Sequence, residues 1–244
     1  MDVNLPAKSK ISVITATFNV VNNLPTLINS LRQQTDKNFE WIIADGGSTD
    51  GTLELLKNID NLDIKITSQP DFGIYDALNR AIRLCTNQYY VVAGADDYFY
   101  QDAIAIFHEA LEENIDFVAT TINCGGNLLQ PKGGSVTKNG AAAIIASHSI
   151  GLLIRRSLHE QYGYYSRKYP ILADQLFILN AVAKGAKLIY LNKCTGYFSK
   201  GGVSCNSPLA CLTEFFCIQL ELGSNKYLQT LLFIKRLIQI LPKL

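Results

Sequence analysis

The chain lacks several things whose absence narrows its function. No two of its six cysteines (Cys85, Cys124, Cys194, Cys205, Cys211 and Cys217) form a CxxC pair, and none stands beside a histidine cluster. Neither a zinc site nor a disulfide framework is signalled, and such usage suits a reducing compartment. Charge of one sign is also lacking: the formal net charge is +1, with no long basic block before the C-terminus. Nucleic acid is therefore not expected as a partner. No GxGxxG follows the first β-branched run, which disfavours a dinucleotide-dependent dehydrogenase. The same stretch, TATFNVVNN, lacks the Gly- and Arg/Lys-rich phosphate loop that a nucleotidyltransferase would show. The opening MDVNLPAKSK has no charged lead followed by an apolar core and a small-residue cleavage site. A signal peptide is thus not expected, and the cytoplasmic side is.

What is present is a globular composition, 48% hydrophobic and 18% charged over 244 residues, enough for one sizeable core or two small ones. The first half alternates. Ile11 to Thr17 is a β-branched run, followed by a helical pattern with Leu24, Leu27, Ile28 and Leu31 on one face. Strand, loop and helix recur as Phe39 to Ala44, Asp45 to Gly51 and Thr52 to Asn58, then as Ile64 to Thr67, Asp71 to Leu84 and Tyr89 to Ala93. Such alternation predicts a Rossmann-like, mostly parallel central sheet flanked by helices.

A sheet of this kind gathers its strand ends along one edge, where ligands bind. Thr15 and Thr17, then Asp45, Ser48 and Asp50, then Asp96 and Asp97 all collect there. Asp96 and Asp97 are hard oxygen donors suited to Mg²⁺ or Mn²⁺ against a phosphate; as ordinary turn residues they would simply precede a helix capped by Asp102. Asp45 can accept from a ring N–H of a base, and Ser48 or Asp50 can reach ribose hydroxyls. Equally, Ser48, Thr49 or Asp50 can cap the next helix while the glycines turn the chain.

The order and spacing of SVITATFN, IIADGGSTDGT, QPDFGIYDALNRAI and YYVVAGADD resemble a family 2 glycosyltransferase with the GT-A fold, similar to bacterial members that build surface polysaccharides. The resemblance runs roughly from Ile11 to Ser204. It implies an inverting, metal-dependent transfer from a nucleotide sugar, a UDP-sugar by expectation, to a glycan or lipid-linked acceptor. It implies that Thr15, Thr17 and Asn19 line the nucleotide pocket, that Asp45 contacts the base, that Asp97 ligates the metal, and that Asp96 assists through ribose, diphosphate or metal-bound water. Ala95 stands where the family's acidic signature often carries a polar or acidic residue. Asp76, Asn79 and Arg80 lie, by the same resemblance, beside donor sugar and phosphates, with Arg80 as a charge partner for diphosphate; an Asp76–Arg80 ion pair four residues apart on a helix is the competing reading.

Past Asp116 the alternation breaks down. Phe117 to Ile122 and Gly151 to Ile154 read as strands, Gly125 to Lys138 as a hairpin or loop excursion, and Ala141 to Ala146 as helical. Leu172 to Ala183 has helical spacing, with Leu172, Leu176, Leu179 and Val182 forming an apolar face and Asp174 in the opening turn. An acid there can be a dipole complement; the resemblance makes Asp174 the general base. It also sets His148 near diphosphate or acceptor, with Ser149 in place of a usual Gln, and Lys200 in a loop over the donor phosphates. The expected division is a nucleotide-sugar-binding half (1–115), an acceptor-binding half of the same domain (116–205), and C-terminal helices (206–244).

Leu209 to Leu222 and Tyr227 to Leu241 read as those helices. The second is apolar around most of its circumference, yet shorter than the roughly 20 residues that span a bilayer. It is expected to lie at a membrane's inner face, or to pack on the catalytic domain or on a second subunit in a homo-oligomer.

Overall fold

The computed structural model of the chain describes residues 10–146, 148–199 and 207–241. β1 (Ile11–Thr17), β2 (Phe39–Asp45), β3 (Ile64–Ser68) and β4 (Tyr89–Val92) form a parallel block in the order β3-β2-β1-β4. The β-branched content of these segments suits strands buried on both faces, and β2 is buried along its whole length. Helices α1 (Leu24–Arg32), α2 (Thr52–Lys57) and α3 (Ile74–Leu84) form the crossovers.

Beyond β4 the sheet becomes mixed. It continues through β8 (Leu152–Arg155), β6 (Phe117–Cys124), β9 (Leu188–Tyr197) and the two-residue β5 (Tyr98–Phe99), with β7 (Asn127–Leu129) hairpinned onto β6. The expected parallel pairing therefore holds for β1 to β4 and returns only between β6 and β9; the β4–β8, β8–β6, β5–β9 and β6–β7 pairs are antiparallel. The physical reason is connectivity: β7 follows β6 through the tight Gly125–Gly126 turn, both glycines at positive φ, and a short loop of that kind joins only antiparallel neighbours.

Around this sheet lie α4 (Ala103–Glu109), the short α5 (Val136–Asn139), α6 (Leu158–Tyr162), α7 (Ala173–Ala183), α8 (Pro208–Glu221) and α9 (Lys226–Ile240). Two cores separate by strand parity. Ile14, Ile42, Tyr90 and Val92 face α3 and α7, whereas Val13, Trp41, Ile43 and Val91 face α1 and α4. Helix α7 is buried on more than the expected single stripe: Ala173, Phe177, Ile178, Leu179 and Ala181 are all inside. Gly140–Ala143 is a single 3₁₀ turn rather than the longer helix expected there. Asp102 stands at the N-cap of α4 without a capping hydrogen bond from its side chain.

Candidate active site

A cavity of about 240 Å³ opens at the C-terminal edge of β1 and β4. Asp96, Asp97, His148 and Asp174 all line it, together with Tyr75, Gln175 and Phe198. Four residues spread over some 80 positions of sequence thus meet because β4, the turn before β8 and the start of α7 end at one place.

Asp174 lies in the first turn of α7, whose start is fixed from α8: the Glu214 carboxylate accepts from the backbone N–H of Ile171 at 3.1 Å and of Leu172 at 2.8 Å. Oδ1 of Asp174 lies 2.8 Å from the Gln175 N–H, which donates to it, and 2.8 Å from the Tyr75 hydroxyl, whose one proton is shared between it and the Ile171 carbonyl, also at 2.8 Å. Oδ2 takes no hydrogen bond from the described residues. Burial raises the Asp174 carboxyl above its ordinary range, and the Tyr75 hydrogen bond works against that rise. Tyr75 itself is braced by a buried aromatic group in which Tyr165 touches its ring, the Tyr90 hydroxyl meets that of Tyr165 at 2.9 Å, and His159 Nε2 meets Tyr90 at 2.6 Å.

Asp97 has 0% exposure. Its carboxylate accepts from the N–H of Gly94 at 2.9 Å and of Ser199 at 3.2 Å. Burial, with Asp96 as a like-charged neighbour, pushes its carboxyl up to about 7 against those two bonds. Among the described residues the basic group facing it is His148, with Nδ1 3.8 Å from Oδ2; burial drops that imidazole to about 4, so it is neutral and offers no counter-charge. His148 stacks on Phe198 with centroids 3.8 Å apart. Gly94 completes the cradle: a Cβ there would lie 2.7 Å from Asp97 Oδ2 and 3.1 Å from Asp96 Oδ1. A buried carboxylate without a cationic partner among the described residues, beside a second carboxylate, fits a divalent hard cation that keeps some of its sites for water or phosphate oxygens. Among the described residues no cluster of three or more His, Cys, Asp or Glu forms a closed cage.

The remaining expected donor residues form a separate, hydrogen-bonded loop cluster. Asp45 is fully buried; burial would raise its carboxyl, but bonds from Ser48, Ser68 and Gly47 outweigh it and hold it below the usual range. Its Oδ1 accepts from Thr17 at 3.0 Å and Ser48 at 2.5 Å, and its Oδ2 from Gly47 N–H, Ser48 N–H and Ser68. Asn19, at φ 52°, accepts from Thr49 N–H at 2.9 Å, and its own N–H donates to Ser48. Asp50 accepts from Thr52 and Val21. Phe18 and Phe72 stand exposed beside this cluster.

Several side chains expected at the ligand turn out to be internal. Thr15 shares strand parity with Val13, so it faces α1 and accepts from Trp41 Nε1 at 3.0 Å, while Ala16, in phase with Ile14, lines the cavity. Asn79 is buried and spends both ends of its amide on the Tyr165 backbone. Arg80 donates to the Asp45 carbonyl at 2.7 Å instead of meeting Asp76, which pairs with Arg167 at 2.5 Å. Lys200 lies outside the described residues.

A family model for glycosyl transferase family 2 matches residues 12–164. The chain belongs to that family. A glycosyltransferase of PGL/p-HBAD biosynthesis from Mycobacterium bovis BCG is 39% identical over 211 residues, covering 79% of this chain and 78% of the relative. Glycosyltransferase GlyA of Streptococcus pneumoniae is 30% identical over 106 residues, 43% of this chain and 15% of that protein. Among solved structures, S. aureus TarS 1–349 in complex with UDP-GlcNAc superposes with a TM-score of 0.72 at 19% identity, covering 94% of this chain and 73% of that one. The Pyrobaculum calidifontis mannosyltransferase PcManGT, in complex with GDP-Man and Mn²⁺, does so with 0.70 at 16%, covering 88% and 65%. These likenesses establish the GT-A fold for this family 2 enzyme. Sequence reasoning passed over Tyr75, Gln175 and the Ser199 N–H. Tyr75 lay inside the IYDALN motif and was findable as an aromatic at a helix start; a backbone N–H reaching Asp97 from 102 residues away leaves no mark in sequence.

Proposed function

We propose that the chain is an inverting, metal-dependent glycosyltransferase that moves a sugar from a UDP-sugar to a glycan or lipid-linked acceptor, with Asp174 as general base. The observation that carries this reading is the Asp174 carboxylate, held at Oδ1 by Tyr75 and Gln175 while Oδ2 takes no hydrogen bond from the described residues, in a cavity shared with Asp96 and Asp97. Oδ2 takes the acceptor's hydroxyl proton as its oxygen bonds to the anomeric carbon, and the bond to the nucleotide diphosphate breaks on the opposite side. Burial raises this carboxyl, which makes the carboxylate a stronger base than a solvated one, and the Tyr75 bond opposes the rise.

Asp97, with Asp96, would hold Mg²⁺ or Mn²⁺, which when bound offsets the charge of the leaving diphosphate. The neutral His148 is a hydrogen-bonding group toward diphosphate or acceptor. Asp45 and Arg80 shape the 46–51 loop from beneath, and Asn19, Ser48 and the exposed Phe18 are what that loop offers a nucleoside. On this reading residues 1–115 serve the donor and 116–205 the acceptor.

The third segment, 206–244, docks on an anionic lipid surface. Helix α9 is turned inside out: Tyr227, Leu231, Ile234 and Ile238 are exposed, at 72%, 67%, 48% and 62%, while Gln229 is buried and Arg236 leans on Phe215. After Glu221 the sequence holds Lys226, Lys235, Arg236 and Lys243 and no acid, which complements anionic headgroups and sets like charges against a second copy. Among the described residues no helix is long and apolar enough to cross a membrane.

A thermal-shift panel of nucleoside diphosphates with and without Mn²⁺ tests the donor reading. Ligand at about 100 times its Kd adds roughly 2.7 kcal/mol, so UDP with Mn²⁺ should raise Tm while other bases do so less. No shift with any nucleotide would overturn it.

A further inference from the structure

A second groove, of about 410 Å³, lies behind Asp174. Leu172 and Gln175 line both it and the catalytic cavity, so a molecule bound in one extends toward the other past the opening turn of α7. Its charged lining is of one sign: Lys132, Lys138 and Arg236, and no carboxylate. Among the described residues none of the three cations is in an ion pair.

The segment that carries the two lysines is pinned. Lys132 N–H donates to the Ala142 carbonyl at 2.8 Å and Gly133 N–H to that of Ala143 at 3.1 Å, while the Asn139 amide reaches the Gly133 carbonyl at 2.9 Å. Helix α9 holds it from the other side, through Gln229 to the Thr137 carbonyl at 2.8 Å and Arg236 to the Lys138 carbonyl. Gly140, at φ 57°, permits the close approach, since a Cβ there would lie 2.4 Å from the Phe215 ring. Phe215 in turn carries the Arg236 guanidinium over its face at 4.6 Å. Two lysines and an arginine lining one groove, with no carboxylate in its lining, match a phosphate, whose several oxygens take both point charges and forked N–H donors.

We propose that this groove holds a phosphate group of the acceptor, and so sets the acceptor's hydroxyl at Asp174. The inference rests on Asp174 being the base of the proposed transfer. The phosphate can be borne by a lipid, which the exposed face of α9 would bring alongside, or by a polyol or glycan chain.

The test titrates the protein, already saturated with UDP and Mn²⁺ so that the donor site is filled, with farnesyl phosphate, glycerol 3-phosphate and farnesol. At least one phosphate should bind, farnesol should not, and Lys132→Glu/Lys138→Glu should weaken the phosphate tenfold or more. Tighter farnesyl phosphate assigns a lipid-borne group; tighter glycerol 3-phosphate assigns a polyol-borne one. The inference is overturned if farnesol binds as well as farnesyl phosphate, if neither phosphate binds, or if the double variant binds them as the wild type does. UDP affinity of the variant, expected unchanged, shows that it is folded and separates failure of the groove from failure of the donor site.

Discussion

Asp97→Asn offers a test whose size follows from the structure. The carboxylate has 0% exposure and no cationic partner among the described residues, and its carboxyl is pushed from an ordinary 3.8 to about 7. That gap corresponds to roughly 4 kcal/mol at about 1.36 kcal/mol per pH unit. For an acid raised on folding, the unfolded chain ionises first, so the contribution is fully present below about 3.8 and is lost as pH climbs through about 7. Without divalent cation, Asp97 should therefore make wild type lose several kcal/mol between pH 4.5 and 8 that Asp97→Asn does not lose, over a shared background of opposite sign from His148 and His159, whose buried imidazoles are lowered to about 4. Asparagine cannot ionise, so the difference between the two slopes isolates this group. The amide N–H would face one of the two donors, Gly94 or Ser199, which costs about 1–3 kcal/mol at every pH; the slope, not the absolute level, is the readout. Urea unfolding at pH 4.5 and 8, with and without Mn²⁺, measures it. Mn²⁺ should recover stability at pH 8 in wild type and not in the variant. A variant with the same pH slope as wild type would refute the reasoning.

Tyr75→Phe removes the hydroxyl that orients Asp174; a hydrogen bond to a charged group is worth about 1.5–3 kcal/mol, so kcat should fall roughly 10- to 150-fold and the acidic limb of the pH–rate profile should move to higher pH, with UDP binding unchanged. Gly94→Ala forces a methyl against Asp97 Oδ2, and Mn²⁺ titration should show weakened metal affinity while nucleotide-free stability drops by no more than about 1–3 kcal/mol. Leu231→Glu with Ile234→Glu should release the protein from vesicles containing phosphatidylglycerol in a sedimentation assay; a wild type that ignores those vesicles and elutes as a dimer would replace lipid by a second copy as the occupant of that face.

The first half of the fold was legible because α1 and α3 carry a plain 3.6 period, while β1, β2 and β4 are short β-branched or aromatic runs of the kind that burial on both faces of a parallel sheet demands. β5 escapes because two residues show no period, and β9 because the register shifts against β6 break its alternation and because only two of its ten residues are buried. The site divides the same way. Asp96, Asp97, His148 and Asp174 come together at one cavity because strand ends and a helix start converge on one edge, which the alternation of elements already implies. Thr15 and Asn79 misled for opposite reasons. Strand parity with Val13 sends Thr15 to the Trp41 side, which the letters ISVITAT already encode. Asn79 looks like a ligand residue on α3, and only the tertiary position of Tyr165, 86 residues on, makes it a structural clamp.

The most direct test is turnover of the UDP-sugar by wild type and Asp174→Asn, with UDP affinity and folding measured on the same samples. Loss of about 10²- to 10⁴-fold in kcat, the range of a removed general base, with UDP and Mn²⁺ binding intact, is the expected result. Turnover by Asp174→Asn within a few-fold of wild type would contradict the assignment of Asp174 as the base.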